Sequence, residues 1–251
     1  MALATRIIPV LLNKGGALVK GRGFSHGRVV GHTLQAIRVY QGRNVDELAY
    51  FDVTATAEGR GPDVALVRQL TGELFAPLTV GGGVSTLDHF RQLLRNGADK
   101  VAINTAAIET PDLISAAANK FGAQAVVVSI DVKDGMVCCR NGCAMTDLKP
   151  ADFAQRVENQ GAGEILLNCV ERDGTLSGYD LDLIRDVASI VRIPVIACGG
   201  AGSYEHLREG LAAGAHAVAA AAMWHFTDST PAGAAEYLAS CGIPVRRKRA
   251  A

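Results

Sequence analysis

The chain has 251 residues with 25 basic and 25 acidic side chains, so its formal net charge at neutral pH is zero. A balanced charge argues against nucleic acid as a partner, and the short basic run 246–249 is expected to be a solvated terminus. Hydrophobic residues make up 49% of the chain, yet no apolar run approaches the roughly twenty residues of a membrane span. With no signal peptide either, we expect a cytoplasmic protein without a membrane partner.

Short apolar runs alternate with longer amphipathic segments along the chain. Runs rich in Val, Ile and Leu, bounded by Gly, Asn or Asp, are typical of buried parallel strands. The segments between them, such as 86–96 and 204–213, have helical spacing and a polar start. The predicted strands are 6–12, 48–53, 77–81, 100–104, 125–131, 164–169, 194–198 and 217–221. Eight strands that alternate with helices in a chain of this length predict an α/β fold, the (β/α)8 TIM barrel.

The two halves of the chain repeat each other. Three segments recur 117 residues further along, so that 47–50, 77–83 and 96–102 match 164–167, 194–200 and 213–219. The repeat predicts one barrel domain, residues 1–251, made of two similar half-barrels at about 1–120 and 121–251. A doubly wound open sheet is the structural alternative, but it gives no reason for a half-chain repeat.

The two copies differ at a position where chemistry is expected. In segment 129–135 an apolar strand reaches Asp131, and the matching position of segment 10–16 is Leu12. The Lys and Gly residues that follow are the same in both copies, so the two segments are in register. One half therefore places a carboxylate at the end of a strand, and the other half places a branched alkane there.

Glycine-rich turns follow two strands at equivalent places in the repeat, at 81–83 and 199–202. Glycine lets the backbone approach a ligand, and free N–H groups at the next helix start attract an anion. One such turn is usually only a tight connection. Two of them at the mouth of a barrel, where functional residues gather, predict two anion sites and a ligand with phosphates at both ends. The residues predicted to bind these phosphates are Gly83, Asn104, Thr105, Asp173, Gly174 and Gly200.

Neither the six Cys nor the six His residues show a spacing that indicates a metal site. Cys138, Cys139 and Cys143 lie close together in sequence but have no His nearby as a fourth ligand. Cys169 and Cys198 end apolar strands and are predicted to be small apolar fillers. We therefore expect reduced thiols, no metal and no cofactor.

Several motifs that stand in order along the chain together resemble a known family. They include 79–83, 99–106, 161–167, 172–180 and 199–202, and the string at 172–180 is highly specific. Over essentially its whole length, the chain closely resembles the cyclase (synthase) subunit of imidazole glycerol phosphate synthase, an enzyme of histidine biosynthesis. The resemblance implies a heterodimer with a glutaminase subunit. Ammonia released by the glutaminase would cross the barrel and attack a bisphosphorylated ribulosyl substrate.

The resemblance also implies roles for residues at the mouth. The two acid–base catalysts of the family are aspartates at the ends of the first and fifth strands, so Asp131 is expected to be catalytic and Leu12 replaces its partner. Since a leucine transfers no proton, we expect cyclisation to be slowed by roughly 10²–10⁴-fold. Lys20 is expected to contact the substrate. Asn141 stands where the family has a phosphate-binding serine, and Ala222 replaces the serine of the second phosphate site.

Four charged residues lie at the opposite, amino-terminal ends of the predicted strands: Arg6, Glu47, Lys100 and Glu164. Charges at a barrel floor are costly unless they are paired, so we predict a ring of ion pairs. Such a ring can simply be a plug that closes the barrel. By the family resemblance it is also the gate through which ammonia enters, and Asp99 belongs to the docking face for the glutaminase.

This combination of an unchanged floor and a changed mouth resembles a branch of the family associated with acetamidino modification of surface-polysaccharide sugars. That branch has two leucines before the first-strand lysine, as at 11–14 here, and segments 30–40 and 44–48 also look closer to it. We therefore expect a subunit that receives ammonia for sugar amidination. Two alternatives remain open: an impaired or engineered histidine-pathway cyclase, and a non-catalytic scaffold that activates a glutaminase.

Overall fold

The fold is a closed parallel barrel, seen in a computed structural model that describes residues 4–25 and 27–246, so 247–249 of the basic run lie outside it. The strands described are β1 (Arg6–Lys14), β2 (Ala17–Lys20), β3 (Arg28–His32), β4 (Leu48–Asp52), β5 (Leu78–Gly81), β6 (Lys100–Ile103), β7 (Val126–Lys133), β8 (Met136–Cys139), β9 (Ala144–Met145), β10 (Glu164–Cys169), β11 (Val195–Cys198) and β12 (Ala217–Ala220). Parallel pairing runs in the order β1-β4-β5-β6-β7-β10-β11-β12 and closes from β12 back to β1. The predicted (β/α)8 barrel is confirmed.

Two antiparallel extensions were not predicted from the sequence. β1 and β7 run two residues beyond their predicted ends because each turns back into a hairpin, through β2 and β8 respectively. β3 then pairs with β2, and β9 pairs with β8. The turns are Gly15-Gly16 and Asp134-Gly135, all at positive φ. Such dipeptides are a strong hairpin signal, so the sequence contained a cue to both extensions.

Helices follow the barrel strands along the chain and lie on the outside of the barrel. The described helices are α1 (Thr33–Gly42), α2 (Val64–Glu73), α3 (Leu87–Arg95), α4 (Thr105–Glu109), α5 (Asp112–Phe121), α6 (Pro150–Asn159), α7 (Leu181–Ala188), α8 (Tyr204–Ala212), α9 (Met223–Phe226) and α10 (Pro231–Ser240). A short 3₁₀ turn, Ala123–Ala125, precedes β7. Several helices begin with a side chain that accepts a hydrogen bond from the N–H three residues on, namely Asp63, Thr86, Asp180, Ser203 and Thr230. The first four form two repeat-related pairs, Asp63 with Asp180 and Thr86 with Ser203, so the repeat extends to hydrogen bonds that start helices.

Side chains alternate between two apolar layers along each strand. Residues such as Ile7 and Leu11 belong to the large outer core between strands and helices. Their neighbours Ile8 and Val10 belong to a smaller cluster inside the barrel, together with alanines such as Ala217. Within the described residues, no helix is long and apolar enough to cross a membrane. The barrel interior is thus an apolar segment between a charged floor and a polar mouth.

Candidate active site at the barrel mouth

The carboxyl ends of the barrel strands surround a cavity of about 120 Å³. The predicted site residues that line this cavity are Gly83, Asn104, Thr105, Asp131, Asn141 and Asp173. Lys20, Gly174, Gly200 and Ala222 are not among the described residues that line it. Leu12 lines it as well. The structure therefore gathers most of the predicted mouth residues from both halves of the chain around one cavity.

Among the carboxylates that line the cavity, Asp131 has an environment that differs most from that of a carboxylate in water. It is buried in β7, and Ser129 Oγ donates a hydrogen bond to its Oδ1 at 2.9 Å. Burial raises the pKa of Asp131 to about 7 although the hydrogen bonds from Ser129 and Asn168 lower it, and the nearby Asp173 adds a further rise. A carboxyl group with this pKa can both accept and donate a proton at neutral pH.

Leu12 faces Asp131 across the barrel, because β1 and β7 are four strands apart in the closed order of eight. The next residue, Asn13, is buried on the other side of the strand, where its Oδ1 accepts a hydrogen bond from Thr33 Oγ1 at 2.8 Å. The alternation of side chains along a strand separates the two. β1 therefore brings no titratable group to the cavity opposite Asp131.

The buried Lys20 and the half-buried Asp173 form a second group of charges at the cavity. Lys20 lies at the end of β2, and its Nζ donates to the carbonyl oxygen of Val10 at 3.0 Å. Burial lowers the pKa of Lys20 to about 8, which Asp173 partly offsets, and burial raises the pKa of Asp173, which Lys20 partly offsets. The loop after β2 also contacts Asp173, since Gly23 N donates a hydrogen bond to the Asp173 carbonyl at 3.0 Å.

The β8–β9 hairpin lies over the first half of the mouth and is held by three polar side chains. Asn104 Nδ2 donates to the carbonyls of Ser129 and Cys138, both at 3.1 Å. Thr105 Oγ1 accepts from Arg140 N at 3.1 Å, and Asn141 Nδ2 donates to the Val53 carbonyl. The amide donors of the two asparagines are therefore used within the chain.

The predicted glycines are required by the chain's own backbone. A Cβ on Gly83 would lie 2.5 Å from the Arg60 carbonyl oxygen, and one on Gly174 would lie 2.0 Å from that of Gly21. A Cβ on Gly200 would lie 2.2 Å from the carbonyl oxygen of Gly178, and all three glycines have positive φ. Packing between neighbouring loops thus explains these glycines without a ligand.

At the floor, the four charged residues singled out in the sequence form one closed ring. The ion pairs are Arg6–Glu47 at 2.7 Å, Arg6–Glu164 at 2.8 Å, Lys100–Glu47 at 3.0 Å and Lys100–Glu164 at 2.8 Å. Glu47 is only 2% exposed and also accepts a hydrogen bond from Thr79 Oγ1 at 2.9 Å. Each charge of the ring therefore faces two charges of opposite sign.

Asp99 is exposed at the floor next to the ring, and it also has a structural task. Its Oδ2 accepts a hydrogen bond from Leu78 N at 2.8 Å, at the start of β5. In the second half the repeat-related residue, His216, uses its Nδ1 to accept from Val195 N at 3.3 Å. A carboxylate in the first half and an imidazole in the second half thus each accept a hydrogen bond from a backbone N–H at equivalent strand starts.

Known proteins resemble this chain over nearly its whole length. The family model described as "Histidine biosynthesis protein" matches residues 6–230 of the chain. The chain belongs to this family. It is 47% identical over 249 residues to the imidazole glycerol phosphate synthase subunit HisF of Chlorobium limicola, a match that covers 97% of this chain and 99% of the relative. The subunits HisF of Prosthecochloris aestuarii and Chlorobium phaeobacteroides are 46% and 45% identical with the same coverage.

Among the cavity-lining residues of this histidine biosynthesis family member that were not predicted to contribute to the site are Ser129, Phe24 and Cys198. Ser129 lies two positions before Asp131 in the same strand, so strand periodicity could have indicated it. Phe24 lines the cavity from a loop that carries no such pattern. Cys198 was interpreted as an apolar filler, but it also lines the cavity, and burial raises its pKa to about 12, which keeps the thiol protonated.

Proposed function

We propose that this chain is the ammonia-receiving synthase subunit of a glutamine amidotransferase and that it serves the amidination of a surface-polysaccharide sugar. One observation carries the proposal. At the mouth, Asp131 faces Leu12 instead of a second acid–base group, while the ring of charges at the floor is complete. The end at which ammonia would enter therefore keeps its charged groups, and the end at which it would react has a different set.

The proposed partner is a glutaminase subunit that docks at the floor in a heterodimer. Asp99 is exposed beside the ring residue Lys100 and belongs to the proposed docking face. The gate consists of Arg6, Glu47, Lys100 and Glu164. Ammonia that has passed it meets the apolar barrel interior, which favours the neutral molecule over the ammonium ion.

At the mouth, Asp131 is the proposed catalytic residue and exchanges one proton with the reacting nitrogen or its acceptor. The acceptor is a phosphorylated small molecule that contacts Gly83, Asn104, Thr105 and Asn141, with Lys20 and Asp173 on the other side of the cavity. Because Leu12 transfers no proton, a ring closure that needs acid–base groups on both sides of the substrate is disfavoured. Neither a metal nor a cofactor is part of this proposal.

The second candidate is the cyclase reaction of the histidine pathway itself. The 45–47% identity to subunits HisF of imidazole glycerol phosphate synthase, over nearly the whole chain, favours it. In that case Asp131 and another mouth group would have to divide the proton transfers between them. The two candidates differ in one measurable property, the turnover of the histidine-pathway substrate.

The first test supplies the bisphosphorylated ribulosyl substrate with an ammonium salt and follows release of aminoimidazole carboxamide ribotide. We expect no useful turnover by the natural chain and a gain in the variant Leu12→Asp, since the variant restores a carboxylate opposite Asp131. The matched control is Leu12→Asn, because asparagine has nearly the shape of aspartate but transfers no proton. Turnover by the natural chain within about tenfold of a typical 10 s⁻¹ would reject the amidination proposal in favour of the cyclase.

The second test follows nitrogen in cells whose polysaccharide carries acetamidino groups. With ¹⁵N in the side-chain amide of glutamine, we expect label in those groups, and roughly 10²–10⁴-fold slower labelling with Asp131→Asn. Asp134→Asn is the control, because Asp134 lies exposed in the hairpin turn. Equal labelling by both variants would leave Asp131 without a catalytic role and would favour the scaffold alternative.

The third test concerns the gate. Lys100→Ala should lower the share of glutamine-derived ammonia that reaches the acceptor, while glutamine hydrolysis continues, because the paired ring is then broken. Lys149→Ala removes an exposed lysine outside the ring and serves as the control. An unchanged ratio of transfer to hydrolysis in Lys100→Ala would mean that the ring is only structural.

A further inference from the structure

The phenyl group of Phe75 is the most exposed large apolar side chain among the described residues. It is 88% exposed, and the next, Val29 on the hairpin extension of β1, is 64% exposed. Phe75 lies in the loop that joins α2 to β5, and such loops lie at the floor of a barrel. Single exposed apolar residues are common on protein surfaces, so the meaning of this one depends on its neighbours.

The loop of Phe75, residues 74–77, lies beside the ring of charges. Its last residue, Pro77, accepts a hydrogen bond on its carbonyl from Leu48 N at 2.9 Å, and Leu48 follows the ring residue Glu47 in the chain. β5, which the loop precedes, pairs with β4 on one side and β6 on the other. The loop therefore lies between the strand starts that carry Glu47 and Lys100. A protein that covers the ring also covers Phe75.

The neighbouring loops of the floor have small side chains. The loop before β6 contains Gly97 and Ala98, and the loop before β7 contains Gly122 and Ala123. Small side chains let a partner approach closely, and protein interfaces are packed as densely as protein interiors at their centre. A partner that docks here needs a hollow that matches the one large group, the phenyl group of Phe75.

The internal repeat shows that the fold does not require an aromatic residue at this position. Gln41 Oε1 accepts a hydrogen bond from Phe75 N at 2.7 Å, and Glu158 Oε1 accepts one from Arg192 N at 2.7 Å. Both pairs are related by the offset of 117 residues, so the same bond holds the same loop in each half. Arg192 is exposed as well. Because an arginine takes this place in the second half, the phenyl group of Phe75 is not explained by the backbone that carries it.

We propose that Phe75 is the apolar anchor of the docking face at the floor and that the glutaminase subunit receives its phenyl group in an apolar pocket. The inference rests on the partner of the proposed function and names the contact that orients this partner. A floor made of two similar halves would accept a partner in two orientations, half a turn apart. An apolar pocket placed over Arg192 would desolvate a charge, so one orientation is selected.

The test measures the affinity of the full-length chain for the purified glutaminase subunit of the same organism by isothermal titration calorimetry. Phe75→Ala should weaken binding by about 30-fold or more, as expected for a buried aromatic anchor. Phe226→Ala is the matched control, because it removes an exposed phenylalanine on α9, at the mouth. The control should bind as the natural chain does, and circular dichroism checks that both variants are folded.

A double variant tests the orientation. Phe75→Arg/Arg192→Phe keeps the composition of the floor and moves the aromatic group to the equivalent place in the other half. It should bind as weakly as Phe75→Ala. Natural affinity in the folded Phe75→Ala variant or in the folded double variant would overturn the inference.

Two further outcomes would also overturn it. Sedimentation of the natural chain alone could show a dimer that Phe75→Ala dissociates, which would assign the phenyl group to a second copy of the chain. The natural chain could also form no complex with the glutaminase, and this result would remove the partner of the proposed function as well. A natural complex that Phe75→Ala leaves unchanged, with ¹⁵N transfer intact, removes only the anchor, so the two failures are distinguishable.

Discussion

The floor and the mouth of this barrel both bury charged groups, but they treat them in opposite ways. At the floor, Glu47 lies between Arg6 and Lys100, and Glu164 does the same, so each charge has two partners. At the mouth, neither Asp131 nor Asp173 forms an ion pair with any residue that the structure describes. Removing one partner of a buried ion pair destabilises a fold, whereas buried titratable groups without direct partners are typical of functional sites.

The pKa values follow this difference in partners. Burial alone would lower the pKa of Arg6, but Glu47 and Glu164 raise it above its ordinary value. Burial raises the pKa of Asp131 to about 7 and lowers that of Lys20 to about 8, and no close counter-charge reverses either shift. The mouth therefore has groups that exchange protons near neutral pH, and the floor keeps a fixed pattern of charge.

Among the substitutions that test this contrast between floor and mouth, Glu47→Gln at the floor is expected to have the largest effect, a loss of stability. The change leaves Arg6 and Lys100 with half of their counter-charge in a buried setting, which should lower the free energy of unfolding by about 3–5 kcal/mol. Urea denaturation of the two proteins measures the difference. Glu73→Gln is the matched control, because Glu73 pairs with Arg38 at the exposed surface and its loss should change little. Equal effects of the two substitutions would show that the ring does not stabilise the fold.

The second prediction concerns pH and the mouth. A carboxyl whose pKa is higher in the folded chain than in the unfolded chain takes up a proton on folding between the two values. For Asp131 these are 3.8 and about 7, so the free energy of unfolding should fall as the pH rises through this window. The loss should be on the order of 4 kcal/mol. Lys20 has the opposite sign, and the stability that its burial costs is recovered as the pH rises from about 8 to 10.5.

Asp131→Asn separates this contribution from those of other carboxyl groups. Denaturation of the variant and of the natural chain at pH 4.5 and pH 7.5 should show a smaller decrease in the variant. Asp134→Asn, in the exposed hairpin turn, should leave the decrease unchanged. If Asp131→Asn also leaves it unchanged, the buried carboxyl group is not the source, and the contrast between mouth and floor weakens.

The smallest effect is expected from Ser129→Ala. The Ser129 hydroxyl donates to Asp131 and lowers its pKa, so removing it should raise that pKa further, by about one unit for the loss of one hydrogen bond. Carboxyl ¹³C NMR over a pH titration measures the change directly. Ser189→Ala, which removes an exposed serine on the outside of the barrel, is the control. A lower pKa in Ser129→Ala would show that the hydroxyl does not favour the carboxylate.

Much of the barrel could be predicted from the sequence, and the exceptions have physical causes. The eight strands were predicted because buried parallel strands are continuous apolar runs. β8 was missed because its residues, among them Cys138 and Cys139, lie in an extension whose partners are set by the preceding turn. The hydrogen bonds of the Asn104 side chain could not be predicted either. Its amide donates to the carbonyls of Ser129 and Cys138, which lie far along the chain.

The sequence by itself determined the alternation of strands and helices, the half-chain repeat and the difference between Leu12 and Asp131 at matching positions of the repeat. These follow from local periodicity and from matching one part of the chain with another. Only the tertiary structure decided that Asp131 is buried opposite Leu12 and that Lys20 bonds to the Val10 carbonyl. Burial and counter-charge depend on the three-dimensional neighbours of a side chain, and closure of the barrel brings those neighbours together from distant parts of the sequence.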